Sequence, residues 1–299
     1  MRPSLASTSL AIFFLTAGCS AGTTTTDMMS TPDLGPSNAL VAARPYEMDV
    51  PAGLDASKPA PLVILLHGFG ENGFVQRAYF GLGALVDTHG FLFAYPDGTK
   101  NSTGQRFWNA TDACCDFEHT GVDDVAYVDA VIADVRAHYN VDPKRIFVTG
   151  HSNGGYMSHR FACDRAKTVA AFVALAGDDW KDATKCQPSE PVAVLQVHGD
   201  MDDAVQYNGN GVTPSAHDSV AGWAQKNGCV ASPTDTTQPP KDLDKALAGA
   251  ETTVERWTGC KPGGAAELWT IHGAGHIPTF QQPAWPEAIW SWFAAHPKP

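Results

Sequence analysis

Six short apolar segments, separated by stretches long enough to form helices, constrain the fold of this chain more than any other feature. They lie at residues 62–66, 91–95, 146–149, 172–176, 192–197 and 268–271. Continuous apolar runs of this length are typical of strands that are buried on both faces of a parallel sheet. Because helix-length segments alternate with them, the sequence predicts an α/β fold with a doubly wound, mostly parallel sheet.

Composition and charge narrow the classes of function. Apolar residues make up 43% of the chain and charged residues 17%, a balance that predicts a globular core and excludes a disordered chain. The chain has 20 Lys and Arg residues and 32 Asp and Glu residues, which gives a net charge of -12. This charge would repel a phosphate backbone, so we expect no nucleic-acid partner and a neutral substrate.

One amphipathic helix is predicted between the second and third of these strands. Its apolar residues recur at spacings of three and four, at Val122, Val125, Val128, Ile132, Val135 and Tyr139. Thr120 lies three residues before Asp123, which is typical of a helix start, where the helix dipole favours negative charge. We therefore interpret Asp123 and Asp124 as cap residues rather than catalytic carboxylates.

The N-terminal residues predict export. The apolar run at 10–15 is far shorter than the ~20 residues of a membrane span, and with Arg2 before it and small residues after it, 1–18 is typical of a signal peptide. Residues 15–19 also resemble a bacterial lipobox that would acylate Cys19; the alternative is ordinary cleavage and release. Residues 20–38 are rich in Thr, Ser, Pro and Gly and predict a tether, followed by a single domain at 39–299.

Six cysteines remain when Cys19 is set aside, and in an oxidising compartment an even set predicts disulfides. Sequence alone does not choose among their 15 pairings. We expect modest loops closed by Cys163 with Cys186 and by Cys229 with Cys260, and a bond between the neighbours Cys114 and Cys115. A zinc site is the alternative, but no Cys-x-x-Cys spacing is present, so no metal is expected.

A candidate nucleophile follows the predicted strand 146–149. Residues 150–154 read Gly-His-Ser-Asn-Gly and precede a helical stretch at 156–163. This is the nucleophile-elbow pattern, in which Ser152 sits on a sharp turn from strand to helix and the flanking glycines avoid a steric clash. Because five-residue strings of this form also arise by chance, the alternative is a plain loop.

A second segment predicts an oxyanion hole. Residues 67–70 read His-Gly-Phe-Gly directly after the strand 62–66. Stabilising a developing alkoxide needs two backbone N–H donors, each worth on the order of 10²-fold or more in rate, and we assign them to Phe69 and Asn153. We interpret His67 as a ring that braces this loop rather than as a catalytic group.

The chain also offers a base and an acid for Ser152. His276 follows the last predicted strand on a glycine-rich turn, from which an imidazole can reach the serine. The turn after the strand 192–197 carries Asp200, Asp202 and Asp203, and one of these is expected to orient the imidazole. With Asp202 as the acid, the order serine, aspartate, histidine is that of the α/β-hydrolases.

Taken together, these motifs resemble the secreted polyhydroxybutyrate depolymerase and feruloyl esterase family over most of residues 40–280. The matching segments are 66–68, 121–125, 148–155, His198-Gly199 with Asp202 and Val205, and 273–276. The resemblance implies that Asp202 is the acid, because the family places it fifth counting from the His-Gly pair. It also implies an α/β-hydrolase fold and a serine esterase that needs no cofactor.

The resemblance implies ester substrates, namely feruloyl or acetyl esters of polysaccharide or short polyhydroxyalkanoates. Only residues 177–190 separate the strand 172–176 from Pro191 and the strand 192–197, so we expect no inserted cap domain and an open cleft. Besides Phe69, the candidate substrate-binding aromatics are Trp108, Trp180 and Phe280. Ile277-Pro278 stands where family members commonly carry Trp-Pro.

The sequence is also compatible with two other functions. One is a serine peptidase of the same fold, and the other is a non-catalytic surface protein that binds carbohydrate on a hydrolase scaffold. The joint presence of nucleophile, base, acid and both oxyanion segments favours the esterase. We expect the protein to be extracellular or attached to the cell surface.

Overall fold

A computed structural model describes residues 36–299; the predicted signal peptide, Cys19 and the tether up to residue 35 lie outside this range. Ten strands are formed: β1 (Tyr46–Asp49), β2 (Ala60–Leu66), β3 (Leu92–Pro96), β4 (Thr99–Lys100), β5 (Arg106–Phe107), β6 (Val141–His151), β7 (Ala171–Leu175), β8 (Ala193–Gly199), β9 (Thr252–Trp257) and β10 (Ala266–Ile271). Seven α-helices accompany them: α1 (Pro36–Ala43), α2 (Gly73–Phe80), α3 (Val86–His89), α4 (Asp124–His138), α5 (Asn153–Asp164), α6 (Ala216–Lys226) and α7 (Ala284–Ala295).

Eight strands form one sheet in the order β1-β3-β2-β6-β7-β8-β10-β9. The six inner strands are mutually parallel and correspond to the six predicted apolar segments, which confirms the predicted parallel core. The edge strands β1 and β9 are antiparallel to their neighbours and were missed. Both are only partly buried and therefore lack a continuous apolar run.

Helices cover both faces of this sheet, as the doubly wound prediction requires. Alternate residues of a strand point to opposite faces, so Ile64 and Val148 pack in one apolar cluster with α4, α5 and α6. Val63 and Phe147 pack in the second cluster, with α2 and α7. The sheet thus holds the carboxyl ends of β2, β6, β8 and β10 at one edge, where the candidate functional residues follow.

The start of α4 differs in part from the prediction. The carboxylate of Asp123 caps the helix by accepting a hydrogen bond from Ala126 N, so Asp123 rather than Thr120 is the N-cap. Asp124 is fully buried and its Oδ1 lies 2.7 Å from Nη1 of Arg44, just after α1. It therefore anchors the N-terminal segment instead of capping. Helix α1 itself begins at Pro36, which makes the last three residues of the predicted tether helical.

The connection between β7 and β8 is short. Residues 176–192 contain a single 3₁₀ turn, so no cap domain is inserted there. The disulfides join Cys163 to Cys186, Cys229 to Cys260 and Cys114 to Cys115, the pairs that the sequence analysis expected. Within residues 36–299, no helix is both long and apolar enough to cross a membrane.

Candidate active site

Ser152 occupies a strained turn between β6 and α5. Its φ of 55° is unusual for a residue with a side chain, and its N–H donates to the carbonyl oxygen of Leu175 in the adjacent strand β7. A Cβ at Gly150 or at Gly154 would collide with the main chain of Leu66. The two glycines therefore let α5 start directly against β2, and the turn projects the serine hydroxyl at the edge of the sheet.

His276 lies between this serine and an aspartate. Its Nε2 is 2.9 Å from Oγ of Ser152, and its Nδ1 is 2.7 Å from Oδ2 of Asp202. The three residues follow the ends of β6, β8 and β10, which meet at one edge of the sheet. Along the chain, Ser152 is 50 residues before Asp202, and Asp202 is 74 residues before His276. An imidazole held in this way can accept the serine proton at Nε2 while its Nδ1–H donates to the carboxylate.

The carboxylate of Asp202 is buried and accepts hydrogen bonds from several donors. Its Oδ1 accepts hydrogen bonds from the N–H groups of Ala204 and Val205, at 2.9 and 2.8 Å. Burial by itself would favour the neutral acid, but hydrogen bonds from His198 and His276 outweigh it and hold the pKa of Asp202 well below its ordinary value. This carboxylate therefore stays charged at the pH where a histidine base operates.

The other two aspartates of this turn have different positions. Oδ2 of Asp200 lies 2.8 Å from Nδ1 of His272, and its Oδ1 accepts from Gly273 N. Asp203 is exposed. Of the three candidate carboxylates in this turn, only Asp202 hydrogen-bonds to His276.

The loop after β2 passes directly over the serine. A Cβ at Gly68 would lie 3.6 Å from Cβ of Ser152. Asn153 is the first residue of α5, where an N–H has no acceptor within the helix, and no hydrogen bond among the described residues engages the N–H of Phe69. Both predicted oxyanion donors are thus available on segments that flank the serine hydroxyl.

His67 braces this loop, in keeping with its interpretation. Its Nδ1 lies 2.7 Å from the carbonyl oxygen of Gly68, and its Nε2 accepts a hydrogen bond from Gly98 N at 2.8 Å. Burial lowers the pKa of His67 to about 4, so the ring is neutral and can make both contacts at once.

Trp108 does not line the cleft. Its ring is fully buried and its Nε1 donates to the carbonyl oxygen of His67, while its main chain exchanges two hydrogen bonds with the side chain of Asn153, at 2.7 and 2.9 Å. The prediction that Trp108 binds substrate is therefore wrong. The residue joins the oxyanion loop to the start of α5, and this contact over 45 residues leaves no signal in the sequence.

The other three candidate aromatics differ in their exposure to solvent. Phe280 is 5% exposed and stacks on Trp285 with ring centroids 3.7 Å apart, so its predicted role in substrate binding is also wrong. Phe69 is half-buried, with its ring 5.5 Å from that of the exposed Phe117. Trp180 is half-buried and borders two surface cavities, where a substrate could reach it.

Two histidines outside the hydrogen-bond chain of Asp202, His276 and Ser152 also support the site. Nε2 of His151 lies 2.8 Å from the carbonyl oxygen of His276, and burial lowers the pKa of His151 to about 4, so its neutral ring fixes the loop that carries the candidate base. Nε2 of His198 lies 3.2 Å from Oδ2 of Asp202 and 2.8 Å from the carbonyl oxygen of Val205. The His-Gly pair before the acidic turn was the available signal for His198.

The arrangement can perform nucleophilic substitution at an acyl group. It offers a hydroxyl, an imidazole, a buried carboxylate and two main-chain donors, which are the parts required for acyl transfer. Among residues 36–299, no three His, Cys, Asp or Glu side chains gather where they could hold a metal ion.

Comparisons of sequence identify relatives of this chain. The family described as esterase PHB depolymerase matches residues 45–186. Feruloyl esterase C of Emericella nidulans is 31% identical over 206 residues, which cover 67% of this chain and 67% of that protein. Feruloyl esterase B of Piromyces equi is 31% identical over 241 residues, or 76% of this chain and 41% of that protein.

A bifunctional acetylxylan esterase/xylanase of Neocallimastix patriciarum is 27% identical over 239 residues, which cover 80% of this chain and 31% of that protein. This chain therefore spans less than half the length of the last two relatives.

Solved structures share the fold at lower identity. The acetyl xylan esterase from Aspergillus awamori superposes with a TM-score of 0.60 at 17% identity, covering 83% of this chain and 93% of that one. Esterase PE8 gives a TM-score of 0.55 at 19% identity over 83% and 97% of the two chains. With the fold, the motifs and these relatives in agreement, the chain belongs to the polyhydroxybutyrate depolymerase and feruloyl esterase family of α/β-hydrolases.

Proposed function

We propose that this chain hydrolyses carboxylic esters with Ser152 as nucleophile, His276 as base and Asp202 as the acid that orients the base. The observation that carries the proposal is the chain of hydrogen bonds from Asp202 through His276 to Ser152, at 2.7 and 2.9 Å. A serine hydroxyl is a weak nucleophile on its own, and an adjacent oriented base is what activates it.

The reaction follows in two halves. His276 takes the proton of Ser152 at Nε2 as Oγ bonds to the ester carbonyl carbon, and the N–H groups of Phe69 and Asn153 stabilise the oxyanion. His276 then returns the proton to the leaving alcohol, which leaves an acyl-enzyme. Water, activated by the same imidazole, attacks the acyl group and releases the acid and the free serine.

The proposed substrates are feruloyl or acetyl esters carried by plant polysaccharide. The names of the relatives, a feruloyl esterase and an acetylxylan esterase/xylanase, support this class. The short connection between β7 and β8 supports it as well, because a cleft without a cap can admit an ester that hangs from a polymer. The family description names a PHB depolymerase, so short polyhydroxyalkanoate esters are the second class to test.

The proposed place of action is outside the cell. Three disulfides among the described residues support an oxidising compartment. Acylation of Cys19, predicted from residues 15–19, would attach the enzyme to the cell surface, and cleavage before the tether would release it.

A fluorophosphonate probe tests the nucleophile directly. We expect one covalent adduct in the intact mass, located on Ser152 by peptide mapping and absent in Ser152→Ala. Methyl ferulate, acetylated xylan, short p-nitrophenyl esters, a polyhydroxybutyrate suspension and a peptide substrate then define the ester. A folded protein that takes up no probe and hydrolyses none of these would contradict the esterase and favour the carbohydrate-binding alternative, whereas cleavage of the peptide alone would identify a peptidase.

A further inference from the structure

A surface cavity of about 540 Å³ has no part in the mechanism above, but the segments that line it lead to the candidate active site. Its lining includes Asn109, Thr111, Phe117, Arg160, Trp180 and Lys185. Asn109 directly follows Trp108, which is hydrogen-bonded to the side chain beside the nucleophile. Trp180 follows β7, whose last residue accepts the N–H of Ser152. Both sides of the cavity are therefore continuous with segments that contact the elbow.

Thr111, one of the residues that line the cavity, has a hydroxyl without a hydrogen-bond partner among residues 36–299. Thr111 is only 8% exposed, and its Oγ1 makes no hydrogen bond within the described residues. A buried polar atom left in this state costs free energy, and a ligand hydroxyl in the cavity would relieve that cost. A rotation of the Thr111 side chain about χ1 would turn this hydroxyl toward a ligand in the cavity.

The charges of the lining disfavour an anionic ligand. Nη1 of Arg160 already donates to the carbonyl oxygens of Asn109 and Ala110, at 2.6 and 3.1 Å, and Lys185 is paired with Asp112. Two further carboxylates, those of Asp116 and Asp164, also line the cavity. Carboxylates therefore outnumber the permanent cations by three to two, so a neutral ligand fits best.

Two aromatic rings stand at the border of this cavity. Trp180 is half-buried, and Phe117 is 64% exposed with its ring 5.5 Å from Phe69 of the oxyanion loop. Exposed aromatic faces beside polar groups suit a ligand with one apolar face and a rim of hydroxyls, because the rings pack on the C–H face while the hydroxyls are hydrogen-bonded.

We propose that this cavity is a subsite for a neutral sugar residue of the polysaccharide that carries the ester, with Trp180 as the stacking platform and Thr111 as a hydrogen-bonding partner. This inference rests on the proposed esterase function and adds to it a reason for preferring sugar-linked over simple alkyl esters.

The test compares two esters that share the acyl group, a feruloylated arabinoxylan oligosaccharide and methyl ferulate. The measured quantity is the ratio of their kcat/KM values. We expect this ratio to fall about tenfold in Trp180→Ala and about fivefold in Thr111→Val, which removes only the hydroxyl. The matched control is Phe74→Ala, an exposed aromatic that lines a different cavity, and it should keep the wild-type ratio.

A binding measurement separates the subsite from the chemistry. In Ser152→Ala, the ester-free arabinoxylan oligosaccharide should shift the tryptophan fluorescence or the NMR signal of Trp180, and the added Thr111→Val change should weaken that binding. Unchanged ratios together with no binding would overturn the subsite while leaving the esterase intact. A wild type that hydrolyses neither ester would overturn the proposed function itself, whatever the oligosaccharide does.

Discussion

Three aspartates within four residues have three different environments, although their chemistry is identical. Asp202 is buried and hydrogen-bonds to His276, Asp200 hydrogen-bonds to His272, and Asp203 is exposed to solvent. The environment of each carboxylate, rather than its type, decides what it can do.

Asp202→Asn should keep the fold and lose about 10⁴ in kcat, because an amide can stabilise the wrong tautomer of His276 and cannot stabilise the imidazolium. Asp200→Asn and Asp203→Asn are matched controls in the same turn and should change kcat little. Initial rates with a soluble p-nitrophenyl ester, combined with circular dichroism, make the comparison. Full activity in Asp202→Asn together with loss of activity in Asp200→Asn would show that Asp200, rather than Asp202, is the acid.

His198→Asn tests the second donor on Asp202. Without the imidazole, Oδ2 of Asp202 keeps only His276, so the carboxylate is held less firmly, and we expect kcat to fall about tenfold with KM unchanged. His272→Asn removes the corresponding histidine from Asp200 and should leave kcat near the wild-type value. Equal effects of the two substitutions would argue against a positioning role for His198.

Asp178 should make the stability of the protein depend on pH. Burial raises the pKa of this carboxyl to about 7 from its ordinary 3.8. The folded protein therefore holds the proton up to a higher pH than the unfolded chain. The contribution of Asp178 to stability is full below about pH 4 and is lost as pH rises toward 7.

Asp178→Asn removes this titration. The variant should gain in free energy of unfolding relative to the wild type by roughly 1 kcal/mol per pH unit between pH 4 and 7. His198 lies 3.9 Å from Asp178 and its charge is coupled to that of the carboxyl, so the same pair of proteins is also compared in a His198→Asn background. Urea unfolding at pH 4.5, 5.5 and 6.5 measures the difference, and Asp203→Asn is the exposed control. Parallel curves for Asp178→Asn and wild type would contradict the expectation.

At the scale of elements, the elbow works because α5 packs against β2 without side chains in between. Gly154→Ala would force a Cβ into the carbonyl oxygen of Leu66, so we expect a loss of about 3 kcal/mol or more in stability together with loss of probe labelling. Chemical denaturation and the fluorophosphonate assay measure the two effects.

Gly222→Ala is the control for this substitution. Gly222 lies inside α6, and a Cβ there meets only the end of Lys226 at 3.7 Å. The change should stabilise the protein by about 0.5–1 kcal/mol, because alanine favours a helix interior over glycine. A Gly154→Ala variant as stable as Gly222→Ala would show that the elbow tolerates a side chain.

The elements that the sequence could predict are those with at least one face fully removed from water. The inner strands and α4 carry continuous or periodic apolar residues because every side chain or one whole face is removed from water. The edge strand β1 alternates only weakly between buried and exposed residues, and the two-residue strands β4 and β5 are too short to carry a pattern. Their positions depend on neighbours far along the chain.

For the whole molecule, the disulfides constrain loops that the core does not. Cys163–Cys186 spans 23 residues and Cys229–Cys260 spans 31, so each should contribute about 3 kcal/mol by restricting the unfolded chain. Alkylation without reductant should find no free thiol among the six cysteines from Cys114 to Cys260, and reduction should lower the melting temperature. The Cys114–Cys115 bond joins neighbouring residues and encloses no intervening chain, so Cys114→Ser with Cys115→Ser should change the melting temperature least.

The sequence by itself determined the class of fold, the family, and the serine and histidine of the candidate site. Burial imposes patterns on the inner strands, and the elbow requires glycine at fixed spacing, so both features are local and readable. The positions of Trp108, Phe280, His151 and His198 were decided only by tertiary structure. Each depends on contact with residues distant in the chain, and an aromatic or imidazole ring has the same identity in a cleft as in a core.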